Sequence, residues 1–232
     1  MSVVKFISLV PATSAGPSGS EMVEAIAAEW RASGDRLPVE GLIVGELLDQ
    51  VSPGLEVAVT VQWWAEETLD VDAVTALLGT AGGTTAPGVP TWRLREHVYR
   101  RPGDRLRPGT DPERVNLFGT ARRRADFDQA SFFRYWDEVH APISARTPGL
   151  RGYVASEVLD RHSGDLDIHG FVELWWPDRA TFEASGDTPE QAAAWEDVGN
   201  YAETTGTFWV TREHVLVPPP ETGPGSQDDL DA

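Results

Sequence analysis

Apolar and polar positions follow two rhythms along this chain, and the same order of stretches occurs twice. VKFISLV (4–10) and VNLFGTA (115–121) read as strands. SEMVEAIAAEWRAS (20–33) and DQASFFRYWDEVHAPIS (128–144) carry apolar residues at helical spacing. These are Met22, Ile26 and Trp30 in the first, and Phe132, Trp136, Val139 and Ile143 in the second. Gly34 and Pro142 stand where those helices would stop. Thr188-Pro189-Glu190-Gln191 predicts another helix start, with Thr as N-cap and Pro at the first helical position; that helix runs toward Tyr201. The first half has a weaker counterpart at 71–78, followed by a Gly- and Pro-rich loop.

Three further landmarks recur in register. VEGLIVGELLDQ (39–50) matches LRGYVASEVLDR (150–161), sharing Gly41/Gly152 and Glu46/Glu157. VTVQWW (59–64) matches FVELWW (171–176), and TWRLREHV (91–98) matches FWVTREHV (208–215). Two Trp-Trp pairs and two Arg-Glu-His-Val strings in the same order identify an internal duplication. One insertion falls before the last strand of the second copy.

Each copy reads β-α-β-β-α-β, a ferredoxin-like order in an α+β fold. Such a unit carries both helices on one face of an antiparallel sheet, so its other face needs cover. Two fused copies packed sheet to sheet supply it, forming a covalent pseudo-dimer. The expected boundaries are a degenerate half at 1–100, a linker at 101–113, a second half at 114–217 and a disordered tail at 218–232.

Composition narrows the function classes. The net charge of −18 opposes nucleic-acid binding over most of the surface, and the Arg-rich stretch between Arg93 and Arg124 reads as a solvated segment paired with acidic neighbours. The chain has no cysteine, so it has no disulfide or thiolate nucleophile. No apolar run approaches the roughly 20 residues of a membrane span, and residues 3–10 are too short for a signal peptide. A cytoplasmic location is the expectation. Lys5 is the single lysine.

Strand alternation predicts a mixed face in the second half, combining Asn116, Phe118, Tyr153, Glu157, Glu173 and Trp175. That face is expected to line a part-polar hollow between the two sheets. The alternative is a merely wetter face whose glutamates pair with arginines across the two halves. The position matching Glu173 in the first half is Val61, which makes the hollow lopsided. One Trp of each pair is free to stack on a flat substrate. His140 lies one turn after Trp136; it is either an acid/base group at the pocket mouth or a helix-end histidine favoured by the dipole. His97 and His214 repeat, which suggests a role common to both halves. His162 and His169 flank an Asp-rich turn with no metal-site spacing.

The second half resembles the EthD family of the dimeric α/β-barrel superfamily. The resemblance rests on F-R-Y-W-D-E-V-H-A-P (133–142), P-G-L-R-G-Y-V (148–154), V-E-L-W-W (172–176) and R-E-H-V (212–215). It covers about 114–217; the first half is similar only through 39–50, 59–64 and 91–98. The family implies small, often cofactor-independent proteins, with roles in lactone isomerisation, in decarboxylation or dehydration of aromatic polyketides, or as pathway accessories. It also implies His140 and Tyr153 as active-site residues. Related methylmuconolactone isomerases add a cysteine that this chain lacks, and the first half has no histidine matching His140. One competent site per chain is the consequence.

The resulting expectation is a cofactor-free lyase or isomerase acting on a hydrophobic cyclic or aromatic molecule in natural-product tailoring. His140, Tyr153 and Glu173 are the expected catalytic groups. Asn116, Phe118, Trp136, Glu157, Trp175 and His214 are the expected substrate-binding ones, with no metal. A non-catalytic small-molecule carrier, a cofactor-free monooxygenase and a haem or metal binder are the competing classes. The expected partner is a small molecule, without nucleic acid or membrane; pairing of two chains is left open.

Overall fold

The computed structural model describes residues 3–13, 16–33, 37–83, 88–101, 107–203 and 206–220. The first half runs β1 (Val3–Pro11), α1 (Gly19–Ser33), β2 (Val39–Gln50), β3 (Val57–Glu66), α2 (Val71–Ala81) and β4 (Thr91–Arg100). The second opens with a two-residue strand, β5 (Gly109–Thr110), then β6 (Val115–Ala121) and α3 (Gln129–Tyr135). A π-helical turn (Trp136–His140) and α4 (Ala141–Ser144) continue that helix. After them come β7 (Gly152–Ser163), β8 (Gly170–Trp176), α5 (Arg179–Gly186), α6 (Pro189–Tyr201) and β9 (Phe208–Val217).

The strands lie in the order β2-β3-β1-β4-β7-β8-β6-β9, and β9 pairs back onto β2. Every pairing is antiparallel, so eight strands close into a barrel with no free edge. Each half contributes a ferredoxin-like sheet. The seams between halves are β2/β9 and β4/β7, and the repeated motifs meet there. Glu46 accepts from His214 at 3.0 Å and Arg212 at 3.7 Å. Glu157 lies 3.2 Å from Arg95 and 3.6 Å from His97. Each copy's glutamate is thus held by the other copy's Arg-Glu-His string. His97 and His214 share a structural role, and His214 is not a pocket residue.

Among the described residues, the barrel interior holds packed apolar side chains and a buried ion network. Ile7, Leu9, Trp92, Leu94, Phe118, Phe171 and Trp209 form one buried cluster. Beside it Lys5, only 2% exposed, reaches Glu173 at 2.5 Å and Glu96 at 3.0 Å, with its ammonium 5.1 Å from the Trp64 ring centre. The expected part-polar hollow between the sheets is therefore replaced by an ion network. The mixed face also needs correction. Val154 pairs with Glu173 and Tyr153 with Leu174, which puts Tyr153 and Glu157 on the outer, helix-covered face. Asn116, Phe118, Glu173 and Trp175 point inward.

A second correction concerns the Trp pairs. Gly41 pairs with Trp64, whereas Gly152 pairs with Trp175. The structural equivalents are thus Trp64 and Trp175, one residue off the sequence match, and Glu173 corresponds to Gln62 rather than Val61. A one-residue slip exchanges faces. Trp63 accordingly packs outward with Phe6, their rings 4.1 Å apart, and Trp176 also joins its half's outer core.

Helix ends follow local chemistry. Asp70 caps α2, which extends past the expected end to Ala81, and Thr188 caps α6 through the Gln191 amide. Helix α5, not foreseen, is capped by Asp178 onto Thr181 and fills the insertion before β9. Pro142 does not end its helix. The Ala141 amide already reaches back five residues to the Trp136 carbonyl, so the helix's hydrogen-bond register is reset where Pro142 lacks a donor. Gly34 lies outside the described residues, as do 102–106 of the linker; Gly109–Thr110 of that linker pair with β9. Of the tail, residues 218–220 are described and sit against Gly41, where an added Cβ would lie 2.7 Å from Pro219 Cα; the remainder, 221–232, lies outside them. Among the described residues no helix is long and apolar enough to cross a membrane.

Candidate active site

The site lies on the outer face of the second half's sheet, under its helices. Its construction begins at Asp128. The Asp128 carboxylate accepts from the Ser131 amide at 2.7 Å, and the Ser131 hydroxyl accepts from the Asp128 amide at 3.0 Å; this capping box starts α3. Phe132, Phe133 and Trp136 then pack onto the sheet, over Gly170. A side chain at Gly170 would come within 3.1 Å of Phe133 and 3.2 Å of Trp136. The π turn that follows adds a residue to one helical turn and buries both Trp136 and His140, the latter 6% exposed.

His140 Nδ1 lies 3.0 Å from Asp197 Oδ2 on α6. The other carboxylate oxygen, Oδ1, accepts from the Tyr135 hydroxyl at 2.8 Å and from Asn200 Nδ2 at 2.9 Å. Burial alone would raise the Asp197 pKa, but the donors from Asn200, Tyr135 and His140 outweigh it and hold the group below the ordinary carboxylate value. Burial lowers the His140 pKa, and the Asp197 contact only partly offsets it. The ring is therefore neutral near pH 7, with its Nδ1 proton donated to Asp197. Its second nitrogen, Nε2, is left as an acceptor.

His140 lines a cavity of about 120 Å³ between α4, α6 and the outer face of β6, β8 and β9. The walls are mostly apolar and include Val172, Leu174, Val198 and Phe208. Ser144, one turn after His140, adds a hydroxyl, and Trp195 forms part of the rim, 42% exposed and edge-on to Phe208 at 5.0 Å. The size is close to that of the engineered protein cavity of about 150 Å³ that binds benzene.

Of the residues expected from sequence, His140 and Trp136 line this cavity. Tyr153 lies behind its wall; it is completely buried and accepts from Trp136 Nε1 at 2.7 Å. Burial raises its pKa well above the usual phenol range, so it stays protonated. Glu173, Asn116, Phe118 and Trp175 are on the opposite side of the sheet. There Asn116 Oδ1 accepts from Thr211 at 2.8 Å and Trp175 Nε1 donates to Glu213 at 2.8 Å. Glu157 and His214 belong to the seams. Sequence reasoning missed Asp197, Ser144, Trp195, Tyr201 and Phe208. The available signal was Asp197 and Tyr201 standing four apart on one helix, hence on one face. Among the described residues no group of three or more His, Asp or Glu side chains is placed to hold a metal ion.

The closed eight-stranded barrel with ferredoxin-like halves is the dimeric α/β-barrel fold, and three solved structures share it across nearly the whole chain. An anthrone oxidase-like protein matches at TM-score 0.60 and 12% identity, covering 96% of each chain. A putative monooxygenase from Lactobacillus acidophilus matches at 0.51 and 12%, covering 94% of this chain and 98% of that one. A putative chlorite dismutase matches at 0.51 and 11%, covering 90% and 94%. Residues 124–205, which contain the whole His140–Asp197 arrangement, match the EthD domain model, so this part of the second half is similar to EthD domains. No curated protein matches the sequence.

Proposed function

We propose that this protein is an acid/base enzyme that moves a proton on a hydrophobic ring compound bound between the helices and sheet of the EthD-like half. The observation that carries the reading is the pairing of His140 with Asp197 at the wall of an apolar cavity. A neutral imidazole with Nδ1 held by a carboxylate presents Nε2 as a general base, and such a base contributes on the order of 10²–10⁴ in rate. In an apolar cavity the acidic C–H would be one next to a carbonyl. The proton goes to Nε2, and the electron pair left on carbon delocalises onto the carbonyl oxygen, where the Ser144 hydroxyl can donate. Returning the proton at another carbon is an isomerisation; expelling a leaving group is a lyase step such as dehydration. Tyr153 supports Trp136 rather than touching substrate, and Glu173 takes no part.

The test is proton transfer on cyclohex-3-enone, a single-ring ketone whose double bond migrates through an enolate. Isomerisation and solvent-deuterium uptake above the buffer rate, lost in His140→Ala, support the reading. A rate equal to that of buffer, or one that His140→Ala leaves intact, overturns it.

A second reading, oxygenation of the same carbanion without a cofactor, is favoured by the fold likeness to a protein described as anthrone oxidase-like. It predicts His140-dependent oxygen uptake with a single-ring enolisable ketone.

A further inference from the structure

Resting on the proposed proton transfer at this site, we propose that the cavity selects an uncharged compound of about one ring, with its oxygen at Ser144, and rejects the carboxylated counterpart. Three observations converge on that selection.

The first is the wall chemistry. Among the described residues no Lys or Arg lines the cavity. Three Arg side chains lie nearby without being among its lining residues: Arg123 donates to the Phe127 carbonyl, and the other two are ion-paired. Arg122 pairs with Asp167 at 2.7 Å and Glu203 at 3.3 Å, while Arg124 pairs with Asp126 at 2.9 Å and donates to the Gly199 carbonyl at 3.2 Å. The acidic groups nearest the space are Glu203, in the lining and paired with Arg122, and Asp197 immediately behind His140. A buried carboxylate without a cationic partner loses its hydration with nothing in return.

The second observation is the polar inventory. Trp136 Nε1 is spent on Tyr153, and the Thr120 hydroxyl is spent on the amide and carbonyl of Thr207. Ser144 and His140, four residues apart on one helical face, border the ligand space; the Ser144 hydroxyl oxygen also takes the Tyr153 phenol proton, which leaves the serine's own proton for a ligand oxygen. A ligand hydroxyl can accept from Ser144 and donate to His140 Nε2, whereas a carbonyl oxygen accepts from Ser144 alone. The only group there that could become cationic is His140. Protonating it to receive a carboxylate would remove the base the reaction needs, so the inference also sets decarboxylation aside in favour of isomerisation, dehydration or cyclisation.

The third is reach. The net charge of −18 repels anions before they arrive.

The experiment measures binding rather than turnover, using the quenching of tryptophan fluorescence at pH 7.5, since Trp136 and Trp195 both line the cavity. Benzyl alcohol and cyclohexanone should bind saturably, and benzoate about thirtyfold or more weakly. Val198→Trp, which fills the cavity, should abolish the neutral ligands' binding while the circular-dichroism spectrum and melting transition are retained. Benzoate binding within threefold of benzyl alcohol and blocked by Val198→Trp would overturn the charge selection. No saturable binding of either neutral probe would overturn the site assignment. Retained binding with no His140-dependent isomerisation would leave this inference standing and remove only the catalytic reading.

Discussion

Asp197 Oδ2 meets His140 Nδ1 at 3.0 Å, and the carboxylate's other oxygen is already taken by two donors, Tyr135 and Asn200. That asymmetry makes a conservative substitution informative. In Asp197→Asn the amide oxygen must take the Oδ1 place, because two donors point at it. The amide NH₂ then faces His140 Nδ1, which becomes an acceptor, and the ring proton moves to Nε2. The base is lost without loss of bulk. We expect kcat/KM for cyclohex-3-enone isomerisation to fall by roughly 10²–10³ while benzyl alcohol still binds. Unchanged kinetics would show that Asp197 does not set the tautomer.

The acid limb of the rate profile follows from the same pair. Burial lowers the His140 pKa below its ordinary 6.5. The base is therefore unprotonated through neutral pH, and kcat/KM should decline only below that value. The folded state also binds fewer protons than the unfolded state there, so acid erodes stability over the same window. A limb centred above pH 7 in a pH–rate profile would contradict the assignment.

The duplication and the β-α-β-β-α-β order of each half were legible in the sequence because they depend on periodicity and repeated strings, and the barrel followed from the family resemblance. The faces were less so. Alternation along β7 and β8 tells which residues of each strand agree, but not which parity of one strand matches which parity of the next. That link is the register, in which Val154 rather than Tyr153 stands opposite Glu173. The Trp pairs misled for the same reason. Identical dipeptides align in sequence, while the spacing from Gly41 and Gly152 sets the pairing one residue apart. His140 was identifiable from its helix and family resemblance. Asp197, 57 residues later, comes beside it only through the packing of α6.

Lys5 joins the halves through the barrel interior, with Glu96 from its own half and Glu173 from the other. Removing one member of a buried ion network leaves an uncompensated charge, at about 3–5 kcal/mol. Lys5→Met should therefore lower the unfolding free energy by that amount in urea titration. Adding Glu173→Gln should recover part of the loss, since it removes a carboxylate that Lys5 neutralises. Strictly additive losses in the double-mutant cycle would deny the coupling.

His97 ties the first half to the helix that carries the base. Its Nδ1 lies 3.1 Å from Asp137 in the π turn, and its ring stacks on Phe133 at 5.0 Å. Burial would lower its pKa, but the Asp137 hydrogen bond and the charges of Asp137 and Glu157 raise it overall. A raised folded-state value means the stabilisation is complete below about pH 6.5 and fades as pH climbs through the folded pKa. His97→Gln should flatten this part of the stability–pH curve, measured by thermal melting from pH 5.5 to 8.5. A parallel shift of the whole curve would assign His97 a packing role only.

Tyr153 separates support from chemistry. Its hydroxyl accepts the Trp136 indole N–H in a fully buried place, and it is absent from the cavity wall. Tyr153→Phe keeps the ring but strands that N–H, which costs about 1–3 kcal/mol of stability. The chemical step needs only His140, Asp197 and Ser144, so kcat should change by less than about tenfold, against the roughly 10²–10⁴ expected for His140→Ala. The two variants thus make opposite demands on denaturation and on turnover. Should Tyr153→Phe lose as much kcat as His140→Ala while melting like the parent, the phenol would have to reach the substrate, and the cavity would have to open behind Trp136 to admit it.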